Sequence, residues 1–277
     1  MKYKLIATDV DGTIGNDKFQ ISQENVDAMK KAIAKGIKVI LCSGRTPASL
    51  QMFEAEMGLN IEGQYGIGFN GATVYDSHTK EILFEDTITQ ETAVHILNLV
   101  RETGTTALVA MYIDSQTMIA EHGLEDVLAM YNTNNEVNIK FYDKITQDMI
   151  TKDVLNIYCI QYKPVLDPLF TELKTRDLKE CTMAFSNENL LEFLPKRMNK
   201  AEGISKLCKH LGIDMSEVVT VGDNYNDLEM IQEAGLGIAV ANAVPELKNK
   251  AWYVTERDNN NHIMIEVVDY VLGLNEA

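Results

Sequence analysis

The chain has 277 residues, of which 45% are hydrophobic and 24% are charged, a balance typical of a globular protein of about two domains. Its formal net charge of −16 repels polyanions, so nucleic acid and anionic membrane surfaces are not expected partners. An anionic small molecule would bind such a protein only beside a cation or a local group of lysine and arginine side chains.

The distribution of cysteines and apolar residues indicates a cytoplasmic protein. The four cysteines are scattered and form no CxxC pair, which argues against a zinc site or a redox pair. The N-terminal residues lack the apolar run of a signal peptide, and no run reaches the ~18 apolar residues of a membrane span. We therefore expect free thiols and a cytoplasmic location.

Strands and helices alternate in the first part of the chain. Ser22 is expected to cap a helix over residues 22–35. A second helix is predicted after Thr46, with Pro47 at its first position and Gly58 as its stop. Apolar runs predict strands over residues 3–8, 37–42, 65–69 and 73–75.

The middle of the chain differs from its two ends and predicts a smaller α/β unit inserted into the larger one. Helices are expected over residues 91–103 and 168–176, and strands over residues 107–112, 118–120, 154–162 and 181–185.

The last part of the chain returns to the alternation of the first. Helices are predicted over residues 200–211, 224–235 and 263–272, and strands over residues 218–221 and 237–240. Alternation at both ends predicts one parallel sheet covered by helices, which is a Rossmann-like α/β fold.

Two aspartates follow the first predicted strand, in the stretch KLIATDVDGTIGND. Because a strand has a side-chain period of two, Asp9 and Asp11 are expected to point to the same side where that strand ends. Ligands of α/β sheets bind beyond such strand ends. Gly12 permits a tight turn there and Thr13 adds a hydroxyl. The alternative is an ordinary acidic turn.

Three further motifs are expected at the same edge of the sheet. Ser43 and the Gly44 amide follow the strand VILC and either donate to a phosphoryl oxygen or only form a turn. Lys200 lies near a helix N-terminus, where the dipole disfavours a cation, so it indicates either an anion site or a solvated basic turn. Asp223 and Asp227 form a second carboxylate pair after the strand VVTV, although Asp227 also suits an ordinary helix start.

Together these motifs bring four carboxylates, a hydroxyl and a lysine to one edge of the predicted sheet. Carboxylates so close together would destabilise the fold, since like charges disfavour each other's ionisation. A hard divalent cation removes this conflict, and Mg²⁺ suits a site of few carboxylates that also admits water and phosphate. The residues therefore predict that a cation, Mg²⁺, lies between these aspartates.

The same motifs resemble the haloacid dehalogenase superfamily and, within it, the Cof-type sugar-phosphate phosphatases. The resemblance rests on DVDGTI, SGR, FNGA, NKAEGI and GDNYNDLEM, whose order spans nearly the whole chain. The interval between Asn70 and Lys200 is about the length of that subfamily's inserted α/β cap. The resemblance implies a haloacid dehalogenase core of residues 1–82 and 195–277, with a C2-type cap over residues 83–194.

The resemblance also implies a role for each matching residue. Asp9 would be the nucleophile that forms an aspartyl-phosphate, and Asp11 the general acid and then the base for water. Asp9, the Asp11 carbonyl and the Asp223 carboxylate would hold Mg²⁺. The implied phosphate-binding groups are Val10, Ser43, Gly44, Lys200 and Asn226. The implied supporting residues are Thr13, Arg45, Asn70 and Asp227, the last either beside the metal or orienting Lys200.

The chain departs from the family pattern in three places, and other functions stay open. Ser43 stands where Thr is also common, Ala201 replaces an expected Gly, and the segment DNNNHIM around His262 lacks the usual Gly-Val. The first alternative function is a phospho-acceptor regulator that keeps its phosphate on Asp9. Others are a phosphomutase and a non-catalytic regulator. The residues leave the substrate and the oligomeric state open.

Overall fold

The computed structural model describes residues 2–131 and 137–276, and the chain divides into two compact units. The first unit comprises the described residues up to Glu85 and those from Asn199 onward, and the second comprises Asp86–Met198. The core domain expected over residues 1–82 and 195–277 and the cap expected over residues 83–194 stay a prediction. Both boundaries between the compact units lie a few residues further along the chain than the expected ones.

The first unit begins with alternating strands and helices. In chain order these are β1 (Leu5–Thr8), α1 (Gln23–Ala34), β2 (Lys38–Cys42), α2 (Pro47–Met57), β3 (Tyr65–Gly68), β4 (Thr73–Asp76) and β5 (Ile82–Glu85). A 3₁₀ turn, Phe69–Gly71, separates β3 from β4.

The second unit follows with both antiparallel strands and helices. Its elements are α3 (Gln90–Glu102), β6 (Leu108–Asp114), β7 (Thr117–Glu121), α4 (Glu125–Tyr131), β8 (Asn138–Tyr142), β9 (Asn156–Ile160), α5 (Lys163–Leu173), β10 (Cys181–Asn187) and β11 (Leu190–Pro195).

The chain then returns to the first unit. The remaining elements are α6 (Lys200–Leu211), β12 (Val218–Gly222), α7 (Leu228–Glu233), β13 (Leu236–Ala239), α8 (Pro245–Lys248), β14 (Tyr253–Val254) and α9 (Ile263–Glu276). None of the helices in the described residues is both long and apolar enough to cross a lipid bilayer.

The strands of the first unit form one eight-stranded sheet in the order β14-β13-β12-β1-β2-β3-β4-β5. The strands from β14 to β3 run parallel, and β4 and β5 add an antiparallel edge. The predicted parallel-sheet α/β core is thus confirmed. Because β1 lies between β2 and β12, the residues that follow these three strands, Asp9, Ser43 and Asp223, lie at the same edge of the sheet.

The second unit contains its own six-stranded sheet in the order β10-β11-β9-β6-β7-β8. Its strand pairs are antiparallel apart from β7 with β8. Helices α3 and α5 cover one face, where Ile96 and Leu166 join Ile157 of β9 in one buried cluster. This arrangement gives the unit a hydrophobic core of its own.

Burial and helix capping explain why the elements of the first unit form where they do. All four residues of β1 are buried, which suits a central strand covered by helices on both faces. The predicted caps are confirmed: the side chains of Ser22 and Thr46 accept hydrogen bonds at the starts of α1 and α2. Gly58 ends α2 in the left-handed conformation, as expected.

Two predicted helices were wrong in extent. Helix α5 begins at Lys163 rather than at residue 168, because burial of Leu166 and Leu169 outweighs the missing N–H of Pro168 inside the helix. The predicted helix over residues 224–235 is a 3₁₀ turn, Tyr225–Asp227, followed by the short α7. The prediction also omitted several short elements: β5, α4, β8, β11, α8 and β14.

Candidate active site

Asp9 lies at the carboxyl end of β1 with its carboxylate almost fully buried. Its N–H donates to the Val221 carbonyl of β12 (2.9 Å), so the backbone continues the sheet while the side chain leaves it. Oδ1 of Asp9 accepts a hydrogen bond from Nζ of Lys200 at 2.6 Å. The strand end therefore presents a carboxylate that already has a cationic partner.

A tight turn follows Asp9. The Val10 carbonyl accepts hydrogen bonds from the N–H groups of Thr13, Ile14 and Gly15, at 3.3, 3.1 and 2.8 Å. Gly12 has a φ of +79°, and a Cβ there would lie 2.5 Å from a carboxylate oxygen of Asp223, so only glycine fits. The turn brings residues 11–13 against the end of β12.

Asp11 is held by an arginine from the loop after β2. Both of its carboxylate oxygens accept hydrogen bonds from Arg45, one from Nε and one from Nη2, each at 2.7 Å. The Arg45 guanidinium also lies 4.9 Å from the centre of the Phe53 ring of α2. A bidentate pair of this kind fixes the orientation of both planar groups.

Lys200 opens helix α6 and is completely buried. Its ammonium lies 2.6 Å from Oδ1 of Asp9 and 2.6 Å from Oδ1 of Asp227. Burial disfavours the charged ammonium, but the carboxylates of Asp227 and Asp9 outweigh that effect, so the pKa of Lys200 lies above its ordinary value. Two carboxylates thus stabilise the Lys200 cation at a helix N-terminus, where the helix dipole disfavours positive charge.

Close backbone packing delivers Lys200 to this position. A Cβ on Gly71 would lie 2.0 Å from the Asn199 carbonyl oxygen, and a Cβ on Gly203 would lie 2.7 Å from the Gly71 Cα. Asn199 caps α6 by accepting from the Glu202 N–H (2.9 Å). The two glycines therefore let the start of α6 approach the turn after β3.

Asp227 has both of its oxygens occupied. Oδ2 accepts from the N–H groups of Asp223 (2.9 Å) and Asn224 (3.1 Å), while Oδ1 accepts from Lys200. The side chain is fully buried. Asp227 therefore orients Lys200 and shapes the loop after β12.

Three carboxylates lie close together at the sheet edge. One oxygen from each of Asp9, Asp223 and Asp227 lies within 4.8 Å of the other two. Burial raises the pKa of Asp9 well above its ordinary value of 3.8, and the Asp227 and Asp223 charges raise it further against the opposing effect of Lys200. Burial and the Asp227 charge raise the pKa of Asp223 to about 6. The cluster carries more negative charge than Lys200 alone neutralises.

Ser43 and Asn70 line the neighbouring part of the edge. The Ser43 carbonyl accepts from the Asn70 N–H (3.0 Å), and Ser43 Oγ accepts from the Arg45 N–H (3.3 Å). A Cβ on Gly44 would lie 3.1 Å from the Asn70 amide nitrogen, so the two loops are in close approach. Asn226 donates to the Asn70 side-chain oxygen at 3.1 Å, which links the loop after β12 to the loop after β3.

Comparison with known sequences identifies the family. A family model described as haloacid dehalogenase-like hydrolase matches residues 6–266. The chain belongs to this haloacid dehalogenase-like family. The fold and hydrolase class expected from the resemblance are thereby confirmed.

Individual relatives of this haloacid dehalogenase-like hydrolase are similar over nearly their whole length. "Putative phosphatase YxeH" of Bacillus subtilis (strain 168) is 33% identical over 263 residues, covering 94% of this chain and 95% of that protein. "5-amino-6-(5-phospho-D-ribitylamino)uracil phosphatase YwtE" of the same organism is 28% identical over 281 residues, covering 94% and 95%. A solved haloacid dehalogenase-like hydrolase from Bacteroides thetaiotaomicron superposes with a TM-score of 0.84 at 28% identity, covering 98% of this chain and 100% of that one.

The structure of this haloacid dehalogenase-like hydrolase brings the expected site residues together in two groups. Asp9, Thr13, Lys200, Asp223 and Asp227 are joined by direct contacts, including the hydrogen bond from the Thr13 hydroxyl to Oδ1 of Asp223 (2.9 Å). The second group is linked through the loops after β2, β3 and β12, and its members are Asp11, Ser43, Gly44, Arg45, Asn70 and Asn226.

Sequence reasoning missed the asparagines that donate to the turn after Asp9, and Asn242 is the clearest case. The side-chain amide of Asn242 donates to the Gly12 carbonyl at 2.7 Å, although the two residues are 230 positions apart. A lone asparagine so far along the chain has no spacing or pattern that would have indicated this contact.

Proposed function

We propose that the protein is a Mg²⁺-dependent phosphatase that hydrolyses small phosphomonoesters, sugar phosphates in particular, through an aspartyl-phosphate on Asp9. The observation that carries the proposal is the buried pair at the end of β1, where the Asp9 carboxylate faces the Lys200 ammonium at 2.6 Å beside Asp223. The phosphatase names of YxeH and YwtE support the same reaction class.

The donor set suits a hard divalent cation. The clustered side-chain ligands are all carboxylate oxygens, as a hard cation prefers. Burial, and then the neighbouring carboxylates, raise the pKa values of Asp9 and Asp223, so extra positive charge here would favour their ionised forms. Asp9 and Asp223, with the Asp11 carbonyl, would hold Mg²⁺, while Asp227 is already occupied by backbone N–H groups and Lys200. When bound, Mg²⁺ neutralises charge on the carboxylates and on the phosphoryl oxygens.

In the first step, a carboxylate oxygen of Asp9 attacks phosphorus and the bond from phosphorus to the ester oxygen breaks. The departing oxygen takes a proton from Asp11, and the phosphoryl group is left as a mixed anhydride on Asp9. Lys200 offsets the repulsion between the attacking carboxylate and the phosphate dianion. The phosphoryl oxygens would be held by Ser43 and Asn226 side chains and by backbone N–H groups of Val10 and Gly44.

In the second step, Asp11 takes a proton from water, whose oxygen attacks phosphorus. The bond between phosphorus and the Asp9 oxygen breaks, which releases inorganic phosphate and restores the carboxylate. Each oxygen of Asp11 accepts one hydrogen bond from Arg45 and keeps a second lone pair, on which the proton can be gained or lost. Arg45 therefore holds the acid and base in place between steps.

The proposal extends to partners and location. A net charge of −16 favours a small phosphorylated metabolite over nucleic acid or an anionic membrane as the partner. The inserted unit, Asp86–Met198, is the proposed cap that contacts the organic part of the substrate. Four free, buried cysteines are consistent with the proposed cytoplasmic location.

A phosphate-release screen over a panel of phosphomonoesters, with Mg²⁺ and with EDTA, tests the proposal. We expect turnover that needs Mg²⁺ and that Asp9→Asn abolishes without loss of the folded state. Asp27→Asn, an exposed aspartate of α1, is the matched control and should keep full activity. Turnover in purified Asp9→Asn would refute the nucleophile. A stable phosphoprotein would favour the regulator, and phosphate retained in an isomerised sugar would favour the phosphomutase.

A further inference from the structure

The turn that carries Asp11 has backbone carbonyls that lie outside the strand ladder. Residues 12–17 leave β1 and contain two glycines, so the backbone has more conformational freedom here than in the flanking strand. Three of its carbonyls accept hydrogen bonds from side-chain amides of asparagines: Gly12 from Asn242 (2.7 Å), Ile14 from Asn25 (3.1 Å) and Gly15 from Asn259 (3.2 Å). We call Asn25, Asn242 and Asn259 the three-asparagine cluster.

The other end of each carboxamide is anchored as well. The Asn242 oxygen accepts from the Asn259 N–H (3.0 Å), and the Asn25 oxygen accepts from the Met264 N–H (2.9 Å). The Asn259 oxygen accepts from the Asn260 side-chain amide (3.1 Å), and its own amide donates also to Asp17 (3.0 Å). Each asparagine thus joins the turn to a backbone or side chain elsewhere in the first unit.

The segment that departs from the family pattern supplies much of this anchoring. Asn259 and Asn260 belong to DNNNHIM, and Asn260 accepts from the Asp17 N–H (3.2 Å). His262 lies within this segment with a φ of 56°, and its ring nitrogen Nδ1 lies 2.9 Å from Oγ of Ser22. The segment is therefore built against the turn after Asp9.

Asn25 and Asn259 are both buried, and a buried backbone carbonyl needs a hydrogen-bond donor, so this need alone explains their contacts with the turn. It does not explain the contact made by Asn242. Asn242 is exposed, so water could serve the Gly12 carbonyl equally well in its place. Unlike a water molecule, the Asn242 side chain fixes the orientation of the peptide group that follows Gly12. A displacement of about 1 Å in a reacting group can lower a rate by about a hundredfold.

We propose that the three-asparagine cluster positions the turn for the reaction, holding residues 12–17 in the one conformation that aligns Asp11 and the Thr13 hydroxyl. The inference rests on the proposed phosphatase function for its kinetic consequence. Its structural consequence, a turn that loosens when the amides are removed, stands without that function.

The test compares variants within the cluster with a control from the same segment. Asn242→Ala removes the amide, and Asn242→Asp keeps the size and the acceptor for the Asn259 N–H while losing the donor to Gly12. Asn259→Ala removes two donors at once. Asn261→Ala is the matched control, because the Asn261 amide donates to Asp258 (2.7 Å) and not to residues 12–17.

Two readouts are measured for each variant. Steady-state kinetics with p-nitrophenyl phosphate and Mg²⁺ should show kcat lowered about tenfold with KM nearly unchanged, the effect expected from one lost hydrogen bond. Hydrogen–deuterium exchange of the peptide covering residues 9–17 should rise about tenfold in the cluster variants, with other peptides unchanged. Asn261→Ala should match the wild type in both measurements.

The two readouts separate failure of this inference from failure of the proposed function. If the wild type has no phosphatase activity, the proposed function is refuted. Faster hydrogen–deuterium exchange confined to residues 9–17 in the cluster variants would still support the claim that the three asparagines hold the turn. Unchanged exchange in Asn242→Ala and Asn242→Asp overturns the inference. Faster exchange with unchanged kcat overturns the positioning role. Should Asn259→Ala fail to fold, the two Asn242 variants decide alone, since that side chain is exposed.

Discussion

The substitution Glu54→Gln in α2 should remove a pH dependence of the free energy of unfolding. Glu54 is buried between α2 and β4, where Oε1 accepts from the hydroxyls of Tyr75 (3.1 Å) and Ser77 (2.9 Å). Oε2 is buried and has no hydrogen-bond partner among the described residues. Burial raises the pKa of Glu54 from 4.5 to about 7, and the two hydroxyl donors only partly oppose that rise.

The sign follows from proton linkage. The folded protein holds this proton more tightly than the unfolded chain does, so the stabilising contribution is complete below pH 4.5 and is lost as the pH rises through about 7. At about 1.4 kcal/mol per pH unit, the interval from 4.5 to about 7 amounts to roughly 3 kcal/mol of unfolding free energy. Glutamine has the size of the protonated acid and cannot ionise, so the variant should keep its stability across this window.

Urea unfolding followed by circular dichroism at about pH 5 and about pH 8 measures the effect. The wild type should lose roughly 2 to 3 kcal/mol more than Glu54→Gln between the two pH values. Glu56→Gln, an exposed position in the same helix, makes the same change in net charge and should follow the wild type. Parallel profiles for the wild type and Glu54→Gln would refute the reasoning.

Three further predictions follow from the site and the thiols. Lys200→Met should lower the unfolding free energy by about 3–5 kcal/mol and abolish turnover, because it leaves two buried carboxylates without their cation. Urea unfolding and phosphate release measure both effects, and a loss below about 1 kcal/mol contradicts the first. Arg45→Met should lower kcat about tenfold while changing stability by less than about 1 kcal/mol, since Asp11 is partly exposed and loses only its orienting partner; an unchanged kcat contradicts this. All four cysteines are buried, and burial raises the pKa of Cys159 and Cys181 to about 12, so a thiol reagent should label none in the folded protein and four after denaturation. Labelling of the native protein would count against this burial.

The parts of the fold that carried strong local signals could be predicted from the sequence. The cap at Ser22 and the proline and glycine that bound α2 mark helix ends through local hydrogen bonding and backbone geometry. Short edge elements such as β14, with two residues, have no periodicity to detect. The start of α5 was missed because tertiary burial of Leu166 overrides the local effect of proline.

The residues of the site could be named from the sequence, but their pairings could not. The sequence indicates a functional role for Lys200 because a cation near a helix N-terminus opposes the helix dipole. In the structure the contacts with Asp9 and Asp227 explain why a cation is stable there. The pairing of Asp11 with Arg45 depends on how the loops after β1 and β2 approach each other, which a linear pattern does not encode. The same limit hid Asn242.

Asp9 and Lys200 are 191 positions apart, so a chain under synthesis carries Asp9 long before its partner Lys200. A growing polypeptide exposes Asp9, the proposed nucleophile, before Lys200 and the loop of Asp227 have left the ribosome. Unfinished chains should therefore be inert toward phosphate esters. Catalytic competence would arise only when the late strand β12 has inserted beside β1.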